Sequence, residues 1–183
     1  MAVIVVVGPD KAGKTTLVNY LRKDRDFRFM YYKGMPSPTT AEAVQLVDSL
    51  LTFWSRDRDH WVCDRLPFPD EMVYRPVVEG IEPVEMKLAQ PELERRFNEL
   101  GSLFIYVTAS LETLRNRYEA LGGDDFLPFD KVPRILEAYQ QFFSTTTVRH
   151  IEIDTDIADE ESAYCIAKEA FEDLLEDLAL QAL

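Results

Sequence analysis

Short apolar runs of strand character alternate along the chain with stretches whose apolar positions recur every three or four residues. The first run, Val3 to Val7, is β-branched throughout and predicts a strand. Leu17, Val18 and Leu21 then form a short helix face that ends in the charged stretch from Arg22 to Asp26. Phe27, Phe29 and Tyr31 alternate with Arg28, Met30 and Tyr32, a period of two that predicts a second strand ending near Lys33-Gly34. Beyond the loop at Met35-Pro36-Ser37-Pro38, Thr39 or Thr40 can cap a helix whose apolar residues Ala43, Val44, Leu46, Val47, Leu50, Leu51 and Trp54 are expected against a sheet. Further strands are expected at His60 to Cys63, Leu103 to Val107 and Val148 to Ile153. Helices are expected at 83–100, at 111–121 before the Gly122-Gly123 break, at 132–143, and from Asp159, where Ala163, Ile166, Ala167, Ala170, Phe171, Leu174, Leu175 and Leu178 follow three-four spacing. Pro67, Pro69 and Pro76 predict an irregular segment after Asp64-Arg65.

Strands alternating with helices imply an α/β fold, with about five parallel strands covered by helices on both faces and ligands bound beyond the strands' carboxyl ends. A length of 183 residues suits one domain, 1–183. Apolar residues at 46% and charged residues at 29% can build a core without disulfides or metal staples. Cys63 and Cys165 lack a metal-ligand spacing and read as buried structural thiols. The net charge of −13 repels phosphate backbones and anionic lipid, so neither long nucleic acid nor membrane is an expected partner. No stretch is long enough to span a bilayer, and Ala2 to Val7 is too short and lacks the basic flank of a signal peptide, so a cytoplasmic protein is expected.

The first strand runs straight into Gly8-Pro9-Asp10-Lys11-Ala12-Gly13-Lys14-Thr15-Thr16, a complete phosphate-binding loop. Its chemistry needs small residues where backbone N–H groups must turn inward around a polyphosphate, which assigns Gly8, Ala12, Gly13, Lys14, Thr15 and Thr16 to the nucleotide. Lys14 reaches the terminal phosphates, Thr15 offers its hydroxyl to Mg²⁺, and the following helix aims its positive end at the anion. ATP and Mg²⁺ are therefore the expected cofactors. Asp64-Arg65 emerges from another strand end on the same edge of the sheet. Asp64 can join Thr15 at the metal while Arg65 neutralises phosphate oxygens; the bland alternative is a strand-end ion pair. Lys33 and Arg75 are candidate phosphate cations or ordinary loop cations, Phe68 and Tyr74 candidate base-stacking or core aromatics, and Arg115 and Arg117 nucleotide ligands or a solvated helix face. His60 and His150 read as structural residues at strand ends.

With its Asp10-Lys11-Ala12-Gly13-Lys14-Thr15 loop, Asp64-Arg65, Tyr74, the Leu114 to Gly122 segment and a last strand ending in Ile153-Asp154, the chain resembles the thymidylate kinase branch of the nucleoside monophosphate kinases. The resemblance implies a three-layer phosphate-loop sandwich with a short lid near 115–130. It implies that Asp10 binds the acceptor sugar's 3′-hydroxyl and Lys11 clamps the transition state. Asp64 and Arg65 would handle metal and acceptor phosphate, Arg115 or Arg117 would begin the lid, and adenine would sit near the loop after Asp154. Leu66 stands where the family usually has tyrosine, Pro69 where a base-reading serine falls, and Leu121 in place of a second lid arginine. The expected catalytic set is Lys14, Lys11, Asp64 and Arg65; Arg117 joins the ATP cradle; Asp10, Lys33, Phe68 and Tyr74 are expected at the acceptor. The expected partners are small nucleotides, with a homodimer left open. The alternatives are a deoxynucleoside kinase on the same fold and a nucleotide-binding regulatory protein without transfer activity.

Overall fold

A computed structural model of the chain describes residues 1–23, 27–32, 39–120 and 127–181. Five strands, β1 (Val3–Val7), β2 (Phe27–Tyr31), β3 (His60–Asp64), β4 (Ser102–Thr108) and β5 (His150–Asp154), form one sheet in the order β2-β3-β1-β4-β5. Every pairing is parallel, and the register sets Val6 beside Asp64 and Ile105. The inner strands β1 and β4 are buried along their whole length, so both of their faces need apolar side chains. The edge strand β2 is only partly buried, in keeping with its mixed sequence.

On one face of the sheet lie α1 (Lys14–Leu21) and α7 (Glu160–Gln181). The other face carries α2 (Thr40–Trp54), α3 (Pro67–Tyr74), α4 (Val84–Glu99) and α6 (Val132–Thr145); α5 (Leu111–Ala120) follows β4. Among the two candidate caps of α2, Thr39 takes the position: its hydroxyl accepts from the Glu42 N–H at 3.2 Å, and its own N–H donates to the Glu42 carboxylate at 3.1 Å.

The segment after Asp64-Arg65 is the main departure from the sequence reading. It is helical, with α3 followed by a π-helical turn at Arg75–Glu79. Pro67 stands in the first turn of α3, where no intrahelical N–H is needed, so proline fits the start instead of preventing the helix. Cys63 is buried as expected, whereas Cys165 is exposed on α7, whose apolar stripe it misses. The His60 ring accepts the Ala2 N–H at 3.1 Å, which ties the start of β3 to β1. Among the described residues no helix is long and apolar enough to cross a membrane.

Candidate functional site

The chain leaves β1 toward β2 and leaves β4 toward β5, so the two connections diverge and open a crevice at the strands' carboxyl ends. A cavity of about 1000 Å³ occupies this edge, at the top of the usual range for small-molecule sites and so roomy enough for two ligands. Asp10, Lys11, Gly13, Lys14, Thr15 and Thr16 form its centre beside Asp64 and Arg65. Tyr31, Tyr32, Tyr74 and Arg75 line the lobe on the β2–β3 side, and Arg117, Ile153, Thr155 and Ala158 line the lobe on the β5 side.

The loop owes its shape to close packing. Gly8 has φ +142°, and a Cβ there would lie 2.0 Å from the Val107 carbonyl oxygen of β4. Gly13 and the non-glycine Lys11 also have positive φ, 104° and 66°. Lys14 is buried and donates to the Pro9 carbonyl at 2.5 Å, with the Asp10 carboxylate at 4.0 Å. Burial, reinforced by the Arg65 charge and opposed by Asp10, lowers the Lys14 ammonium from its ordinary 10.5 to about 7.

That shift has a stability consequence of definite sign. The folded chain releases the Lys14 proton near pH 7 while the unfolded chain keeps it to about 10.5, so between these values the unfolded state binds more protons and stability rises with pH. Lys14→Met keeps the bulk of the side chain and removes its charge. Between about pH 6.5 and 8.5, thermal unfolding of the wild type is therefore expected to gain several degrees relative to Lys14→Met. Parallel behaviour of the two proteins would contradict the assignment.

Thr15 donates from its hydroxyl to Asp64 Oδ2 at 3.2 Å. Asp64 is almost fully buried, and burial raises its carboxyl above the ordinary value against the pull of Lys14 and Arg65. A hydroxyl and a carboxylate facing one another make an oxygen-only donor pair, which suits Mg²⁺. Among the described residues no group of three or more acidic, His or Cys side chains forms a cage.

Arg65, in a left-handed conformation with φ 66°, forks between two carboxylates. One arm pairs with Asp10 of the phosphate loop; the other donates to Asp70 Oδ2 at 2.9 Å and to the Tyr74 hydroxyl at 3.4 Å. Tyr74 in turn donates to the Gly8 carbonyl at 3.3 Å. Strand end, phosphate loop and α3 are thus joined at one guanidinium. Arg117 also reaches the loop, but through backbone: it donates to the Lys11 carbonyl at 3.1 Å and to Thr155 Oγ1 at 2.9 Å, and Thr155 donates to the Ala12 carbonyl at 3.0 Å.

Not every expected residue is at the cavity. Phe68 is fully buried among Phe97, Phe104 and Phe142, with ring centroids 5.4 to 6.2 Å away, and its expected place at an acceptor base is corrected to a place in the core. Its rigid apolar ring fills the space under α3, where it cannot meet a ligand. Gly8 and Ala12 contribute backbone only. Arg75 is no exposed loop cation; it is buried against Glu71 at 2.5 Å and Glu79 at 3.5 Å. Arg115 lies over the Phe129 ring at 5.2 Å. Lys33, Leu121 and the centre of the expected lid lie outside the described residues.

The sequence reading missed Asp70, Glu71, Tyr139 and Thr155. The i,i+4 spacing of Glu71 and Arg75 was a usable signal once the segment is helical. So was Tyr139 on the apolar stripe of α6, since a buried phenol needs a partner.

No family model matches the chain, and no curated protein matches it. Among solved structures, it is similar to the YorR protein of Bacillus subtilis, in complex with phosphorylated GDP, at TM-score 0.68 and 16% identity over 98% of this chain and 97% of that one. It is also similar to deoxyadenosine kinase from M. mycoides. The form with bound dATP gives TM-score 0.60 and 13% identity over 93% of this chain and 99% of that one. The form with the products dCMP and dCDP gives TM-score 0.60 and 14% identity over 94% and 99%. Likeness at such identities is likeness of fold, and the chain shares with these proteins an α/β fold, here a five-stranded all-parallel sheet with helices on both faces.

Proposed function

We propose that residues 1–183 form one cytoplasmic kinase domain that transfers the terminal phosphoryl group of ATP to a deoxynucleoside monophosphate, as a thymidylate kinase does. The observation that carries this reading is the meeting of two half-sites in one cavity. Lys14 and the Thr15–Asp64 pair stand ready for a polyphosphate and its metal, and Asp10 of the same loop faces Arg65. ATP would lie with its base in the β5-side lobe and its phosphates in the loop, and the acceptor would occupy the lobe beside Tyr74.

Phosphoryl transfer asks the protein mainly for position and charge neutralisation. Thr15 and Asp64 would hold Mg²⁺, which when bound screens the phosphate oxygens. Lys14 regains its full charge beside the polyphosphate, since an anion raises the affinity of an ammonium for its proton. Arg65 spans donor and acceptor, Lys11 sits where a clamp on the transferring group is needed, and Asp10 can accept from an acceptor hydroxyl.

One observation favours a second acceptor. Arg65 is shared by Asp10 and Asp70, and Arg75 by Glu71 and Glu79, so both arginines of this lobe already face carboxylates. A neutral nucleoside enters such a lobe without rearranging those pairs, and Asp64 would then act as base toward its 5′-hydroxyl. ADP release from MgATP in the presence of each deoxynucleoside and each monophosphate separates the two. Stimulation by a monophosphate and not by its nucleoside is the expected result; the reverse establishes the nucleoside kinase.

A further inference from the structure

The Asp70 carboxylate that holds Arg65 is itself held by a residue that does not line the cavity. Tyr139, on the apolar stripe of α6, is fully buried, and its hydroxyl donates to Asp70 Oδ1 at 2.8 Å. The other oxygen of the same carboxylate, Oδ2, accepts from Arg65 at 2.9 Å. The ring of Tyr139 stacks on Tyr106 of β4 at 5.3 Å and meets Tyr74 edge-on at 6.1 Å. The phenol therefore has one position, and the carboxylate it bonds has one rotamer. We propose that Tyr139 is a positioning residue that acts through Asp70, fixing the Arg65 guanidinium so that its other arm meets Asp10 of the phosphate loop. As a statement about catalysis this rests on the phosphoryl-transfer reading; as a statement about guanidinium order it does not.

Three features of the arrangement support a role beyond filling the core. The chain Tyr139–Asp70–Arg65–Asp10 runs from α6 through α3 and the end of β3 to the phosphate loop, so it joins four elements of the site. Arg65 has an unfavourable positive φ, so its side chain leaves the strand end in a direction the backbone alone would not choose. Without Asp70, the guanidinium would keep Asp10 and only the long 3.4 Å bond to Tyr74, and could swing with that side chain. Asp70 also lies between Arg65 and a buried hydroxyl, and a carboxylate with both oxygens engaged cannot rotate without losing one bond.

Tyr139→Phe removes only the hydroxyl, and Asp70→Asn keeps the shape while weakening the pull on Arg65. Guanidinium order is read directly from the side-chain ¹H–¹⁵N spectrum, in which a clamped arginine gives resolved Nη correlations; those of Arg65 are the ones absent from Arg65→Lys. Resolved Arg65 signals are expected in the wild type and collapsed signals in both variants, with the backbone spectrum otherwise retained. In turnover, Tyr139→Phe is expected to lower kcat about tenfold while KM for ATP stays within about twofold. In an Arg65→Lys background the same change should cost less than about twofold, because its effect passes through the guanidinium. Unchanged Arg65 signals in Tyr139→Phe, or an undiminished loss in the Arg65→Lys background, would overturn the proposal. If no acceptor stimulates ADP release by the wild type, the transfer reading fails and the spectra alone decide the positioning role.

Discussion

Arg65→Ala is expected to slow acceptor-dependent ADP release by about 10³-fold or more, the scale on which a single well-placed cation acts in phosphoryl transfer. The side chain sits between Asp10 and Asp70 and close enough to Lys14 and Asp64 to influence both. Its removal takes away a charge that would neutralise the transferring group and leaves the Asp10 and Asp70 carboxylates without their arginine beside the loop. The second effect compounds the first, since those carboxylates would repel the phosphates that Arg65 attracts. Lys11→Ala is expected to fall nearly as far. Its backbone carbonyl is held by Arg117 and its φ is left-handed, so the loop presents this residue in one orientation. Single-turnover mixing with MgATP and acceptor measures both variants without interference from product release. Turnover within tenfold of wild type in both would remove Arg65 and Lys11 from the catalytic set.

Among the described glycines, Gly8→Ala is expected to be the most damaging added methyl. The added carbon would meet the Val107 carbonyl oxygen at 2.0 Å, and β1 and β4 are hydrogen-bonded neighbours that cannot separate without breaking the middle of the sheet. The backbone is also in a region that L residues avoid, φ +142°. Clash and strain together should cost about 4 kcal/mol or more, enough to unfold a marginally stable domain. Gly80→Ala is the matched control: its φ is +70°, but nothing lies within 4 Å of the new carbon, so strain alone of about 1 kcal/mol is expected. Thermal unfolding of the two variants checks this. A Gly8→Ala midpoint no lower than that of Gly80→Ala would show that the loop can move away from β4.

The features legible in the sequence are those written in contiguous residues. Val3 to Val7 could only be a strand, and the glycines and lysine that follow predict a tight turn and a helix start, which is the backbone found. Asp64-Arg65 was legible for a related reason: a parallel sheet brings all its strand ends to one edge, so a charged pair directly after an apolar strand had to approach the loop.

What the sequence did not convey depends on partners far apart in the chain. Three prolines between Pro67 and Pro76 suggested an irregular segment, and Phe68 within it stood as a candidate for base stacking or for the core. With the prolines absorbed into a helix start and a π-helical turn, the same residue points into the core. Asp70 and Tyr139 are 69 residues apart, and only the packing of α3 on α6 makes them a pair. Thr155 gave no signal of its own; its hydroxyl matters because β5 ends where the loop's Ala12 carbonyl is. Arg117 stood in the sequence as a candidate nucleotide ligand or a solvated helix residue, and its use of backbone carbonyls as partners belongs to the fold alone.

The most direct measurement of the central claim is ³¹P NMR of the protein with MgATP and a set of deoxynucleoside monophosphates. The account predicts that one or more monophosphates turn into diphosphates while ADP appears in equal amount, with neither change in Arg65→Ala. ATP that stays intact with every acceptor, or that gives ADP and inorganic phosphate at a rate no acceptor alters, would contradict it.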